Sequence, residues 1–252
     1  MNWKSYMEDY DEGLGTVYER FMLDNYFESL LRRHNIKNVL EVPIFGMTGV
    51  SGINSIYFAR HGCDVILVDD NKERIKYIEK VWNEINEKAN IVYLESIGKL
   101  PFKDSSFELV WNFASLDKVN NPELVIKEML RVSSKFVLIF VPNNIQFVNI
   151  IYRIFSNTKN SIKYSGIKKL CKGSIIDEGF LDIPPWPDTK FSIKSKLGNA
   201  KSKKWRWSMV DYLKGDLGIK NKAERYSFIE KSFLPNALKQ FFAHHRFLLV
   251  RK

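Results

Sequence analysis

The strict alternation of strand-like and helix-like segments between residues 37 and 142 constrains the fold of this chain most. The strand-like segments include VILV and FVLIFV, which are apolar at every position and therefore predict strands buried on both faces. The segments between them place apolar residues three or four positions apart, as in helices with one buried face. We therefore predict an α/β fold built on a doubly wound sheet. Its first five strands are predicted at Lys37–Val42, Asp64–Val68, Ile91–Leu94, Phe107–Phe113 and Lys135–Val141.

The composition is typical of a globular protein that is stabilised by its own core. Of the 252 residues 45% are apolar, with only 13 Gly and 8 Pro, so collagen-like and disordered classes are excluded. The longest apolar run, Phe136–Val141, is too short to cross a bilayer, and the polar N-terminus does not resemble a signal peptide. Two cysteines, Cys63 and Cys171, without a CxxC pair predict neither a disulfide framework nor a metal site. We expect a cytoplasmic protein with no transmembrane segment.

The positive charge is concentrated in one part of the chain. The net charge is +10, and residues 146–222 hold sixteen Lys or Arg against six Asp or Glu, which accounts for the whole surplus. This step in charge favours a basic cap inserted after the fifth strand, although a solvated lysine-rich surface would look the same. The sheet is predicted to end with strands near Arg225–Glu230 and at His245–Arg251. The predicted organisation is a helical segment (1–34), an α/β core (35–145), the basic cap (146–222) and C-terminal strands (223–252).

The turn after the first strand has the features of a nucleotide-binding turn. Gly46, Gly49 and Gly52 lie between a strand and a helix, where glycine lets the backbone approach a ligand and the helix start offers N–H groups. The second strand ends in Asp69, and a carboxylate at that place can accept both hydroxyls of a ribose. These residues predict a cofactor that contains a nucleoside, but they do not say which one.

Six short motifs then follow one another in the order of a known family. They are VLEV (39–42), TG (48–49) in the Gly-rich turn, VILVDD (65–70), LPF (100–102), SFELVW (106–111) and EMLRV (128–132). In this order they resemble class I S-adenosylmethionine-dependent methyltransferases, and specifically the type 11-like group, over roughly residues 35–143. The resemblance implies a Rossmann-like, mostly parallel, seven-stranded sheet that ends in an antiparallel hairpin. It also implies S-adenosylmethionine as the cofactor.

The resemblance assigns the cofactor contacts position by position. Glu41 and the turn would pack around the methionine end, Asp69 and its neighbour Asp70 would lie at the ribose, and Asn112 would end the fourth strand near the sulfonium. The turn departs from the family pattern, because Pro43 stands at the first glycine position and the turn is two residues longer. At the adenine position Ser96 replaces the usual acid. The implied cofactor-binding residues are Glu41, Pro43, Gly46, Thr48, Gly49, Asp69, Asp70, Ser96, Ile97 and Asn112.

The basic cap is the natural place for acceptor recognition in this fold. Basic groups that alternate with aromatic ones, as in KSKKWRW, suit an acceptor that has acidic groups and a flat or apolar part. An anionic small molecule or lipid-like acceptor is favoured over RNA, because no separate RNA-binding domain is visible. A non-catalytic binding protein with the same fold stays as a further alternative. The expected acceptor contacts are Phe113, Trp186, Trp205 and Trp207.

No catalytic residue is assigned from the sequence. Methyl transfer from a sulfonium is an in-line displacement, so positioning dominates and a base is needed only for an acceptor that must lose a proton. The nearest candidates for a base are Tyr18, Glu19 and one of the histidines His244 and His245. Adjacent strand residues point to opposite faces, so the two histidines are not expected to serve one site. The oligomeric state is left open.

Overall fold

The computed structural model describes residues 14–44, 52–146, 164–171, 174–183, 217–228, 230–231 and 235–252. The helices are α1 (Leu14–Arg33), α2 (Ile56–Arg60), α3 (Lys72–Glu84), α4 (Pro122–Val132), α5 (Tyr164–Leu170), α6 (Leu217–Tyr226) and α7 (Asn236–Lys239). The strands are β1 (Asn38–Glu41), β2 (Asp64–Asp69), β3 (Asn90–Tyr93), β4 (Phe107–Phe113), β5 (Ser133–Pro142), β6 (Ile175–Leu181) and β7 (His245–Arg251). A short 3₁₀ turn, Leu116–Lys118, follows β4.

One seven-stranded sheet connects these strands in the order β3-β2-β1-β4-β5-β7-β6. The first five strands of this order are parallel, and Val39 of β1 is paired with Val65 on one side and Leu109 on the other. The strand β7 runs antiparallel to its neighbour β5. The N–H of Asn143, after β5, donates to the carbonyl of His244, before β7, whereas Lys252 after β7 donates to Lys135 at the start of β5. The predicted doubly wound, mostly parallel, seven-stranded sheet is confirmed.

The sixth strand lies elsewhere than the sequence predicts. It is β6, inside the segment assigned to the basic cap, whereas the chain that leads into Arg225–Glu230 is helical as α6. The sequence of β6, IIDEGFL, is not a continuous apolar run. This strand lies at the edge of the sheet beside β7, where its residues need not be apolar. An edge strand that contains Asp177, Glu178 and Gly179 gives a weak strand signal in sequence.

Local signals in the sequence position the helices on the sheet. Two helices begin at asparagine caps: Oδ1 of Asn71 accepts the N–H of Arg74 at the start of α3, and Oδ1 of Asn121 accepts the N–H of Leu124 at the start of α4. The apolar face of each helix is buried against the strands. The core cluster between α4 and the sheet includes Val110, Val125, Ile126, Met129, Val137 and Leu248.

The chain divides into two compact units. The first, called the core unit here, comprises residues 27–141, 160–178 and 247–252, and the second unit comprises residues 1–26, 142–159 and 179–246. Within the part of the chain that is described, no helix has both the length and the apolar character needed to cross a bilayer. Cys63 and Cys171 are both buried free thiols.

Candidate functional site

Three buried polar side chains lie at the carboxyl ends of three neighbouring strands of the core unit. Glu41 ends β1, Asp69 ends β2, and Asn112 is the next-to-last residue of β4. Each has at most 1% of its surface exposed. Since these strands are parallel neighbours, the three side chains lie at one edge of the sheet, the edge where open α/β sheets bind ligands. Buried polar groups are expensive unless they are hydrogen-bonded, so their partners indicate what the edge can bind.

Asp69 uses one carboxylate oxygen inside the protein. Its Oδ1 accepts the main-chain N–H of Asn71 at 2.8 Å and Nε of Arg74 at 3.1 Å. Its Oδ2 is buried and has no hydrogen-bond partner among the described residues. Burial raises the pKa of Asp69, and the charge of Arg74 and the N–H of Asn71 oppose that rise. The second oxygen is therefore placed to accept hydrogen bonds from a ligand hydroxyl.

Glu41 is held by a chain of hydrogen bonds below the Gly-rich turn. The hydroxyl of Ser55 donates to Oε2 of Glu41 at 2.5 Å and accepts the indole N–H of Trp111 at 3.0 Å. The amide of Asn54 donates to Oε1 of Glu41 over a longer 3.5 Å, while its own Oδ1 is buried without a hydrogen-bond partner among the described residues. The carboxylate is thereby fixed in direction before any ligand binds.

Asn112 links the end of β4 to the start of the turn. Its amide donates to Oγ of Ser115, and the Ser115 hydroxyl donates to the carbonyl of Pro43 at 3.0 Å. The Oδ1 atom of Asn112 is buried and has no hydrogen-bond partner in the described part of the chain. Pro43, which has no N–H to offer, therefore contributes its carbonyl to the framework of the site.

The structure describes the Gly-rich turn only at its two ends. Gly46, Thr48 and Gly49 lie outside the described residues, so their predicted contacts stay predictions. The two ends of the turn are fixed: the N–H of Gly52 donates to the carbonyl of Ile44 at 3.1 Å. The carbonyl of Gly52 accepts the indole N–H of Trp82, and Gly52 has a φ of +76°, which favours glycine.

The remaining predicted cofactor residues lie near this edge in different environments. Asp70 is exposed and lies 3.7 Å from the guanidinium of Arg74. Ser96 is exposed and its Oγ accepts the N–H of Gly98, whereas Ile97 is buried in the core cluster. The main chain just before them is close to Asp69, because the N–H of Leu94 donates to the carbonyl of Asp69 at 2.9 Å. Adenine contacts at Ser96 and Ile97 stay a prediction.

The predicted acceptor residues are mostly outside the described chain. Trp186, Trp205 and Trp207 all fall there. Phe113 is described and has 1% of its surface exposed, with its ring centroid 5.3 Å from that of Phe140. It is therefore part of the aromatic core, and an acceptor contact through its side chain stays a prediction.

A second cluster of ionisable groups lies in the second unit and includes all the candidate bases. The hydroxyl of Tyr18 donates to Oε2 of Glu230 at 3.0 Å, and Glu230 also accepts the main-chain N–H groups of Asp182 and Ile183. Burial, followed by the nearby charge of Asp182, raises the pKa of Glu230 to about 7. Burial also raises the pKa of Tyr18 well above its usual range. Tyr18 is thus a hydrogen-bond donor rather than a base at neutral pH.

The two histidines approach the same carboxylate, contrary to the prediction from strand geometry. His244 precedes β7 and is not a strand residue, so the rule of opposite faces does not apply to the pair. Nδ1 of His244 lies 2.8 Å from Oδ2 of Asp182, and Nδ1 of His245 lies 3.9 Å from the same oxygen. His245 is buried, and burial lowers its pKa well below the usual range. His244 is only partly buried.

Several residues of these clusters are absent from the sequence prediction. Ser115 and Trp82 contact the turn from positions 72 and 30 residues away in the chain, and no local motif announces such contacts. Asp182 has a φ of +63°, and its neighbours Glu230 and His244 come from distant segments. The contact of Arg74 with Asp69 can be predicted from the sequence. A basic residue in the first turn of a helix, directly after a strand that ends in a carboxylate, is a local pattern.

Comparisons with known proteins match the part of the chain that contains Asp69 and Asn112. Residues 47–141 match the model of a family described as a methyltransferase domain. This range begins within the Gly-rich turn and ends with β5, so it includes Asp69 and Asn112. No curated protein sequence matches the chain.

Solved structures share the fold at low sequence identity. The magnesium protoporphyrin IX methyltransferase of Synechocystis PCC 6803, with bound SAH, has a TM-score of 0.56 and 12% identity over 94% of this chain and 84% of its own. A putative sarcosine dimethylglycine methyltransferase from Galdieria sulphuraria has a TM-score of 0.54 and 17% identity over 91% and 84%. The cyclase SpnF has a TM-score of 0.52 and 12% identity over 91% and 80%. At these identities the likeness establishes the fold.

Proposed function

We propose that the protein methylates an anionic small-molecule or lipid-like acceptor. The proposal starts from its class I S-adenosylmethionine-dependent methyltransferase domain. The residues matched by the family model, 47–141, include two of the three strand-end side chains, Asp69 and Asn112. The cofactor of that class is S-adenosylmethionine. The acceptor is not identified by the domain, so it is the part of the function that we propose.

The buried Oδ2 atom of Asp69 is the feature of the site that supports the cofactor assignment most directly. It is an acceptor at the end of β2 that no described residue occupies, and a ribose offers two adjacent hydroxyl donors. Asn54 and Asn112 each bring a further buried Oδ1 to the same edge. A methionine end offers ammonium donors that such oxygens can accept. The residues present therefore fit the cofactor.

The protein's own contribution to methyl transfer is to orient and to exclude water. When bound, S-adenosylmethionine supplies a methyl group activated on a sulfonium. Glu41 and Asn112 are held rigidly by Ser55 and Ser115, so they can fix a ligand without reorganising. The buried aromatic residues behind them, Trp111 and Phe113 among others, keep this part of the site free of water.

The proposed acceptor class rests on charge and on exposed apolar surface. The sixteen basic residues of the segment 146–222 favour an acceptor with phosphate or carboxylate groups. In the second unit Leu238, Phe241 and Phe242 are exposed. Leu238 lies in α7, and Phe241 and Phe242 follow the end of that helix at Lys239. Exposed apolar residues beside lysines are typical of contact with an amphiphilic, anionic molecule.

The experiment is a calorimetric titration with S-adenosylmethionine and S-adenosylhomocysteine, followed by a methyl-transfer assay. We expect micromolar binding to the wild type and a loss of tenfold or more in Asp69→Asn, while Asp64→Asn, at the exposed start of the same strand, serves as the matched control. The assay then compares anionic lipids, carboxylate metabolites and RNA as acceptors. Transfer to RNA alone would replace the proposed acceptor class.

RNA is the second candidate because of one sequence feature. The segment KSKKWRW places two tryptophans among basic residues, a composition that suits stacking on bases beside phosphates. Binding of RNA without S-adenosylmethionine binding would instead favour a non-catalytic binding protein. Binding of the cofactor with transfer to a lipid or a small acid would exclude both readings.

A further inference from the structure

Three side chains that commonly bind metals meet in the interior of the second unit. They are Glu19 on α1, Asp182 directly after β6 and His245 at the start of β7, with 4%, 0% and 2% of their surfaces exposed. Oε2 of Glu19 lies 3.7 Å from Nδ1 of His245, and Oδ2 of Asp182 lies 3.9 Å from the same nitrogen. One ligand atom from each residue lies within 4.8 Å of the other two.

Both distances to Nδ1 of His245 suit ligands that share one ion. They are longer than the 2.7–3.2 Å of an N–H···O hydrogen bond. Zinc bonds to carboxylate oxygen and imidazole nitrogen are about 2.0–2.2 Å long, so two ligands of one ion lie about 3–4 Å apart. The separations of Glu19 and Asp182 from His245 fall inside that interval.

A second layer of contacts holds the ligands in place. The guanidinium of Arg20 donates to Oε1 of Glu19 at 2.7 Å, which leaves Oε2 directed to His245. Nδ1 of His244 lies 2.8 Å from Oδ2 of Asp182, and the main-chain N–H of His244 donates to the carbonyl of Asp182. Hydrogen bonds of this kind to ligand carboxylates are a regular feature of metal sites.

The charges of the cluster favour a cation. Three carboxyl groups, those of Glu19, Asp182 and the half-buried Glu230, lie close together in the second unit, and the buried guanidinium of Arg20 contacts Glu19. Buried carboxylates are strongly unfavourable without compensating positive charge. A divalent ion bound by Glu19 and Asp182 would add positive charge at these two carboxylates.

We propose that Glu19, Asp182 and His245 bind one divalent transition-metal ion. The ligand set of one imidazole and two carboxylates is typical of Zn²⁺ and Mn²⁺. Three protein ligands leave further coordination positions for water or another molecule. The site lies wholly in the second unit and does not depend on the cofactor site at the ends of β1, β2 and β4.

The test is a metal titration of the full-length protein after dialysis against a chelator. Zn²⁺ and Mn²⁺ are titrated by calorimetry, and Co²⁺ is used as a spectroscopic probe, because its visible absorption reports on the ligands of the ion. The variants are Glu19→Gln, Asp182→Asn and His245→Gln. The matched controls are Glu28→Gln, an exposed glutamate on the same helix, and His61→Gln, an exposed histidine elsewhere. Thermal melts verify the fold of each variant.

We expect one ion per chain, with affinity reduced tenfold or more in each ligand variant and unchanged in both controls. The Co²⁺ spectrum of the wild type should change in Glu19→Gln, which removes one charge but retains the shape of the side chain. If His245→Gln does not fold, Glu19→Gln and the wild-type spectrum still decide the question. An adventitious ion only, with no saturable binding or with equal affinity in wild type and variants, would overturn the proposal.

Discussion

The guanidinium of Arg74 lies 3.0 Å from Oδ1 of Asp69 and leaves Oδ2 of the same carboxylate without a hydrogen-bond partner among the described residues. Arg74 is in the first turn of α3, directly after the strand that ends in Asp69. The ion pair therefore opposes the rise in pKa that burial causes and holds the carboxylate in direction. The oxygen that remains is the acceptor on which cofactor binding depends.

This arrangement predicts that cofactor affinity falls at acidic pH. Burial raises the pKa of Asp69 above its ordinary value near 3.8, so the carboxylate takes up a proton at a higher pH than an exposed aspartate would. Ribose hydroxyls donate to the ionised form, and protonation removes an acceptor worth about 1.5–3 kcal/mol. Calorimetric titrations of S-adenosylhomocysteine between pH 5 and 8 should show this dependence in the wild type but not in Asp69→Asn. An unchanged pH dependence in the variant would assign it to another group.

Replacing Gly52 is expected to destabilise the protein more than the same change at Gly62. Both glycines have a φ of +76°, where a side chain costs about 1–2 kcal/mol. A Cβ at Gly52 would also lie 3.0 Å from three side-chain atoms of Ile78, whereas a Cβ at Gly62 would meet nothing within 4 Å. The overpacking adds about 1–3 kcal/mol to the Gly52→Ala change. Denaturant unfolding of the two variants measures the difference, and equal losses would contradict the predicted contact.

The same substitution should weaken cofactor binding. Gly52 donates to Ile44 and receives the indole N–H of Trp82, so it fixes the end of the turn that precedes α2. We expect Trp82→Phe to retain most of the buried ring but to leave the carbonyl of Gly52 unsatisfied, which costs about 1–3 kcal/mol of stability. Titration of S-adenosylhomocysteine with Trp82→Phe and Gly52→Ala should show reduced affinity, while Gly62→Ala should bind as the wild type does.

The half-buried carboxyl of Glu230 predicts a stability that decreases towards neutral pH. Its pKa is raised from an ordinary 4.5 to about 7, chiefly by burial, so the folded protein holds this proton at pH values where the unfolded chain has lost it. The free energy of unfolding should therefore fall as the pH rises from about 4.5 through about 7. Glu230→Gln mimics the protonated acid and should flatten this part of the profile. Urea denaturation of metal-free protein across pH 4.5–8 is the measurement, and a profile with the same slope in the variant would contradict it.

A structural feature of this protein can be predicted from the sequence when the residues that determine it are close together in the chain or when the sheet topology brings them together. Asp69, Glu41 and Asn112 are recoverable because each ends a strand, and a parallel sheet gathers strand ends at one edge. The caps Asn71 and Asn121 are recoverable because a cap contacts a residue three positions away. Such features are local or follow from topology alone.

The second cluster is neither local in the sequence nor determined by the sheet topology. Glu19, Asp182 and His245 belong to three distant parts of the chain, and each residue alone resembles a surface or core residue. The sixth strand was misplaced for a related reason, since an edge strand has only one neighbour and its residues need not be apolar. Long-range contacts of this kind leave no periodicity in the sequence, so they are visible only once the fold is known.

Arg131 is expected to matter for stability through the geometry of its guanidinium rather than through its charge. Its nitrogens donate to the carbonyls of Leu100 and Phe102 at 2.9 Å each and pair with Glu128 and Asp104. Arg131→Lys retains the charge but cannot reach all these acceptors, and we expect a loss of about 1–3 kcal/mol. The control is Arg60→Lys, because Arg60 makes its ion pair with Glu87 on another face. Thermal unfolding measures both variants, and equal shifts would show that the segment before β4 does not depend on the arrangement at Arg131.

The acid limb of the stability profile should change in the same variant. The hydrogen bond from Arg131 is the largest influence on Glu128 and lowers its pKa below the ordinary 4.5, and the N–H of Leu100 acts in the same direction. A lowered carboxyl pKa adds stability that is complete above about 4.5 and is lost as the pH falls through the lower folded value. Arg131→Lys weakens that hydrogen bond, so the variant should lose less stability than the wild type between pH 5 and 3. Parallel acid limbs would mean that Glu128 is held by Leu100 rather than by Arg131.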